Sequence, residues 1–126
     1  MTQAKALLSR ARRADRQLQA VLDRQRRCEG IERAAGGTGP RLAALQEDLK
    51  SRAERWAAEQ LAVAAAIDRL DDPVQREVLQ HRYLDGLDWR EIAERMGYSR
   101  EWLWRVHRQA VGRLEGMIGE GVGNRE

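Results

Sequence analysis

Small and apolar side chains recur at steps of four and three from Thr2 to about Ala35: Leu7, Ala11, Ala14, Leu18, Val21, Gln25 and Cys28, with Leu8 and Leu22 widening the stripe. A repeat of this kind keeps one side of a helix against a partner, as in a coiled coil, with Gln25 as its polar position. At 1.5 Å per residue the segment predicts a rod roughly 50 Å long. Gly36-Gly37-Thr38-Gly39-Pro40 ends it, because glycine and proline continue a helix only at high cost. A phosphate-cradling loop is excluded there, since no strand precedes it and no Gly-Lys-Ser/Thr ending follows. A second stripe then steps through Leu42, Leu45, Leu49, Arg52, Trp56, Gln60, Val63, Ile67 and Leu70. The short connection predicts an antiparallel hairpin of the two helices. Ala57, Ala58, Ala62, Ala64, Ala65 and Ala66 offer a further close-packing face on the second helix. Its expected cover is either the C-terminal part or a second copy of the chain.

Beyond the hairpin the chain is punctuated differently. Asp72 is placed to cap a helix, with Pro73 at its first position and Gln75 where a capping box needs it. Val74, Val78, Leu79 and Tyr83 mark the inner side of this helix, and Asp85-Gly86 ends it near Leu84. Asp88 caps again, with Glu91 three residues on, and a helix through Met96 stops at Gly97. Ser99 caps a longer helix to about Leu114, and Gly116, Gly119, Gly121 and Gly123 predict a frayed tail. No strand pattern occurs. The expected fold is all-α, with a hairpin over residues 1–71, a small helical domain over 72–115 and a flexible tail over 116–126.

Composition narrows the function classes. The chain has 126 residues, 34% of them charged and 5% aromatic, with no phenylalanine, which leaves little material for a large enzyme core. Cys28 is the single cysteine and only His81 and His107 accompany it, so no intrachain disulfide, metal cluster or Ser-His-Asp triad is expected. The acidic residues read as caps or i,i+4 partners, and no nucleophile–base set stands out. No apolar run approaches a membrane span or a signal-peptide core, and the expected compartment is the reducing cytoplasm. Net charge is +3 overall but unevenly placed: +5 over residues 1–35 and +3 over residues 99–114. Two separated basic surfaces suit nucleic acid, although basic helix faces are also often merely solvated.

Residues 88–107 supply the motif. Two helices meet at a very short turn, with small Ala93 on the first helix and Gly97 where the turn needs positive φ. Ile92, Met96, Tyr98, Leu103 and Val106 fall at the apolar positions of a helix-turn-helix. Around it, Gln75-Arg76-Glu77-Val78-Leu79, Arg82-Tyr83-Leu84, Trp89-Arg90-Glu91-Ile92-Ala93 and Tyr98-Ser99-Arg100-Glu101 resemble region 4 of sigma factors, as do His107, Ala110-Val111 and Leu114. The resemblance covers about residues 72–114. It is greatest to the small sigma-region-4-like proteins of phages and mobile elements, including late-gene transcriptional activators of the RinA/ArpU type. Trp102 and Trp104 depart from it, standing where sigma factors carry smaller or charged residues.

At 100° per residue Leu103, Val106, Ala110, Leu114 and Met117 share a face expected to pack on Ile92 and Val78, with His107 packed or hydrogen-bonded at its edge. The opposite face presents Glu101, Arg105 and Arg108, flanked by Arg100 and Trp104. N-terminal residues of a recognition helix reach base edges, where Arg pairs with guanine and Glu accepts from cytosine. Arg108 and Arg113 are better placed for phosphates. The resemblance assigns Arg100, Glu101, Trp104 and Arg105 to DNA-contacting positions. Trp89 and Tyr98 are expected in the core. One of Trp102 and Trp104 is expected against the hairpin or another subunit, and Trp104 against a sugar or thymine methyl. The expected protein is thus a DNA-binding transcriptional regulator without cofactor, assembled through its hairpin into a dimer or higher oligomer. A small terminase-type subunit for genome packaging, or a sigma mimic that docks on RNA polymerase, are the alternative readings.

Overall fold

The computed structural model describes residues 3–123. Helix α1 (Gln3–Ala35) and helix α2 (Pro40–Asp68) lie side by side and antiparallel. Gln46 donates to Glu32 at 3.0 Å near the turn, while Arg10 donates to Glu59 at 2.8 Å towards the other end. The buried edge of α1 is Ala4, Leu8, Ala11, Ala14, Val21 and Cys28, close to the expected stripe. On α2 the stripe differs near the turn. Leu45 is 47% exposed and Arg52 also faces outward, whereas Gln46 and Ala53 turn inward. Strict alternation running back from Ile67, Val63, Gln60 and Trp56 leads to Ala53, Leu49 and Gln46, so the register of the buried end decides that of the open end.

Helix α3 (Pro73–Leu79) starts at Asp72, whose carboxylate accepts from the amides of Val74 and Gln75. Only this half of the expected capping box forms, because Gln75 Oε1 is buried and without a partner. Arg76 reaches back to the carbonyls of Leu70 and Asp71 and ties α3 to the end of α2. A π-helical turn, Gln80–Leu84, extends α3, closed by the Asp85 amide on the Gln80 carbonyl at 2.9 Å. One extra residue in the turn brings both Tyr83 and Leu84 against the core shared with α1. The chain reverses at Gly86, where φ is +72° and a Cβ would stand 2.7 Å from Asp15 Oδ2 on α1. The left-handed backbone requires glycine there, and any larger residue would also displace the Asp15 carboxylate.

Helix α4 (Trp89–Met96) and helix α5 (Arg100–Gly123) complete the chain, and no strand occurs among the described residues. The inner face of α5 does not pack on one partner alone. Leu103 and Val106 join Val78 and Ile92, but Ala110, Val111 and Leu114 join a larger core with Leu79, with Ala4, Leu8 and Ala11 of α1, and with Val63 and Ile67 of α2. A third cluster, Val21, Cys28 and Leu49 with Trp56 beside it, holds the hairpin further out. Helix α5 also outruns the expected end near Leu114. Met117 and Ile118 pack on the larger core, and their burial outweighs the roughly 1 kcal/mol that a helical glycine costs. The expected tail therefore lies partly within α5, and residues 124–126 are outside the described residues. Glu115 accepts from the Ala4 amide at 2.6 Å and so caps the start of α1 from α5.

The larger core predicts that the hairpin and the C-terminal helices melt together. Leu8 is fully buried in it, and Leu8→Ala is expected to cost about 2–5 kcal/mol. Thermal unfolding should show one transition in both proteins, shifted down in the variant. A separate, unshifted transition for the C-terminal helices would contradict this.

Candidate nucleic-acid interface

Three local devices fix the pair α4 and α5. Asp88 and Glu91 form a reciprocal capping box, each side chain accepting from the other's amide. Gly97 closes α4 in the left-handed region at φ 75°, a conformation that costs other residues roughly 1–2 kcal/mol. Ser99 Oγ accepts from the Trp102 amide at 3.2 Å and starts α5. Ala93 packs on the cluster of Ile92, Leu103 and Val106, letting α5 come close.

With that face of α5 buried, the opposite face must be open. Arg100, Glu101, Trp104, Arg105, Arg108 and Arg113 are all exposed. Glu101, Arg105 and Arg108 fall on one ridge, and Gly112 continues it without a side chain. Trp104 and Arg100 lie on one flank of the ridge, and Arg113 on the other, about 12 Å along the axis from Arg105. None of Arg100, Arg105, Arg108 and Arg113 is paired with a carboxylate among the described residues. The ridge therefore presents unneutralised guanidinium groups on a rigid helix.

The aromatic residues divide otherwise than expected. Tyr98 is 43% exposed and lies tilted against Trp102, with ring centroids 4.1 Å apart. Trp102 packs half-buried on the cluster of Val78 and Ile92 within the C-terminal helices. Tyr98 follows the turn glycine directly, so it caps the edge of that cluster and does not enter it. Trp104 is 49% exposed, yet it stacks on His107 at 5.4 Å and meets the edge of Trp89 at 5.7 Å. It is thus an oriented aromatic surface beside the ridge.

His107 is the buried centre of this flank. Its Nε2 lies 2.6 Å from the Tyr83 hydroxyl, while Nδ1 is buried without a partner. Burial, with Arg82 and Lys5 nearby, lowers its pKa to about 4, so the ring is neutral at pH 7. Burial also raises the pKa of Tyr83, keeping its hydroxyl protonated. Arg82 lies 4.9 Å over the Trp89 ring and donates to the Leu87 carbonyl; burial and then Arg12 lower its pKa. Sequence reasoning placed His107 at a packing edge, but its link to Tyr83, and the approach of Lys5 and Arg12, follow from packing between helices far apart in the chain. Only the uneven charge of residues 1–35 signalled them.

Residues 66–115 match the family model for sigma-70, region 4. This segment is a sigma region 4-like helix-turn-helix. It begins at the last turn of α2 and ends just past the buried Leu114 of α5. No curated protein and no solved structure matches the chain. A domain of this kind fits a DNA-binding, non-catalytic role. The described residues contain no group of three or more potential metal ligands, and no helix long and apolar enough to cross a membrane.

The state of His107 carries a pH prediction. Its folded pKa lies below the unfolded value of about 6.5, so the unfolded chain takes up a proton that the folded chain refuses. Stability from this group is present above pH 6.5 and falls as pH drops towards 4, by on the order of 2 kcal/mol. The His107 ring resonances should stay flat from pH 7.5 to about 5, and His107→Gln should lose less stability over the same range. A ring titrating near 6.5 in the folded protein would refute the buried, neutral assignment.

Proposed function

We propose that this protein is a sequence-specific DNA-binding regulator of transcription, a cytoplasmic late-gene activator of phage or mobile-element origin, with RNA polymerase as a partner. The observation that carries the reading is the unpaired ridge of α5, held outward by a helix-turn-helix of the sigma region 4 type. Placed in a major groove, Arg105 is suited to guanine O6 and N7, Glu101 to cytosine N4, and Trp104 to a sugar or thymine methyl. Arg100, Arg108 and Arg113 serve phosphates, which position the helix without reading sequence.

The hairpin is proposed as the assembly element. The C-terminal helices cover Val63, Ala66, Ile67 and Leu70 of the alanine-rich segment, but Ala58, Ala62 and Ala65 remain open and Leu61 is 71% exposed. A second copy across this face would bring two recognition helices to one duplex and raise affinity through effective concentration.

The reading is tested by binding to fragments of the source genome, followed by footprinting and a transcription assay. A protected promoter-proximal site with increased transcription supports it. Assembly into a ring that recruits a packaging ATPase would favour the terminase reading, and failure to bind any duplex at low salt a polymerase-binding mimic.

Two variants test the assigned roles. Arg105→Ala should relax preference at one base pair and cost about 1–3 kcal/mol there, whereas Arg113→Ala should weaken all duplexes alike and flatten the salt dependence. Equal, sequence-blind losses would remove Arg105 from base reading. For assembly, sedimentation velocity should show the parent as a dimer or larger and Leu61→Glu shifted to monomer. A monomeric parent would overturn the role given to the hairpin.

A further inference from the structure

Helix α1 borders the recognition helix on the side where Trp104 lies. Lys5 lines a recess of about 330 Å³ with Trp104, His107, Arg108 and Glu115, and the Ala4–Glu115 hydrogen bond fixes this end of α1. One to two turns further along, Leu8 and Ala11 pack in the core that Tyr83 and Leu84 join. Asp15 then meets the turn at Gly86. Arg12 lies half-buried between these contacts, near enough for its charge to act on Arg82, whose guanidinium covers Trp89. Lys5 and Arg82 are both near enough to His107 to disfavour a charge on its ring. Lys5 and Arg82, from two distant stretches of chain, thus border the flank of Trp89, Trp104 and His107, and Arg12 lies next along α1.

We infer that Lys5, Arg12 and Arg82 form a phosphate-contacting flank of the DNA interface, so that the first helix of the hairpin is itself part of the DNA-binding surface. The inference rests on the DNA-binding reading above. Lys5 is level with Arg108 and Gly112, about 5–10 Å along α5 from Arg105, and a major groove is about 12 Å wide. A phosphate strand at the groove edge therefore passes beside Lys5, while Arg12 and Arg82 flank the start of α4, the helix that crosses the backbone in this motif. The outer arginines of α1 are different. Arg24 and Arg27 lie about 18–22 Å beyond Arg12 along the rod, next to the cluster of Val21, Cys28 and Leu49.

The test is a titration of the full chain with specific and unrelated duplexes over a salt series. Lys5→Gln/Arg12→Gln should bind both duplexes about tenfold more weakly, with the slope of log K against log salt reduced by about 0.9 for each contact removed. Arg24→Gln/Arg27→Gln changes net charge equally and should leave affinity and slope at the parent's values. Arg12→Gln alone should give part of the loss and Arg12→Lys should not, and all variants should melt like the parent. Should the two double variants behave alike, or the first bind as the parent does, the inference fails while DNA binding stands. A parent that binds no duplex at low salt overturns both.

Discussion

The close approach of α1 to α5 and to the π-helical turn that extends α3, through Ala4, Leu8 and Ala11, is the contact on which the other parts of this molecule depend. Two of the three side chains are a single methyl group, and all three are fully buried. Small residues let the helix axes come near enough for Leu79, Ala110 and Leu114 to close the core around Leu8. The sigma-like segment on its own has a small apolar cluster built on Val78, Ile92, Leu103 and Val106. Its larger core is completed by the hairpin, so the recognition helix takes its orientation from both.

The same contact explains a costly feature. His107 is buried with an unpartnered Nδ1, and burying an unsatisfied polar atom costs about 1–3 kcal/mol. The ring is sandwiched by stacking with Tyr83 and Trp104, and Trp89 meets it edge-on at 5.0 Å. Each such aromatic pair contributes about 0.5–1.5 kcal/mol beyond area burial. The outcome is a fixed Trp104 next to the arginine ridge. Rigidity of this kind lowers the entropy lost when a surface side chain is immobilised on a partner.

Much of this architecture was legible in the sequence because its signals are local. The caps at Asp72, Asp88 and Ser99 and the left-handed turn at Gly97 depend on residues within three or four positions of one another. The candidate ridge of Glu101, Arg105 and Arg108 follows from helical periodicity and from the apolar face opposite. Helical period gives each face, but not the neighbour that meets it, and so Ala110 and Leu114 were assigned to Ile92 and Val78 when they face α1. The length of α5 was missed for the same reason: glycine content weakens a helix locally, and Met117 and Ile118 restore it only through a distant core.

The division has a physical basis. Hydrogen-bonded caps, glycine dihedrals and the period of a helix are properties of a few adjacent residues, so the helical class, the helix starts and the helix-turn-helix of the C-terminal part could be read from the residues alone. Which helices touch is decided by burial of apolar area among residues far apart in the chain, as where Ala4 of α1 and Leu114 of α5 join one core. That Tyr83 meets His107, and that the start of the hairpin flanks the recognition helix, follow from this packing and from no local signal.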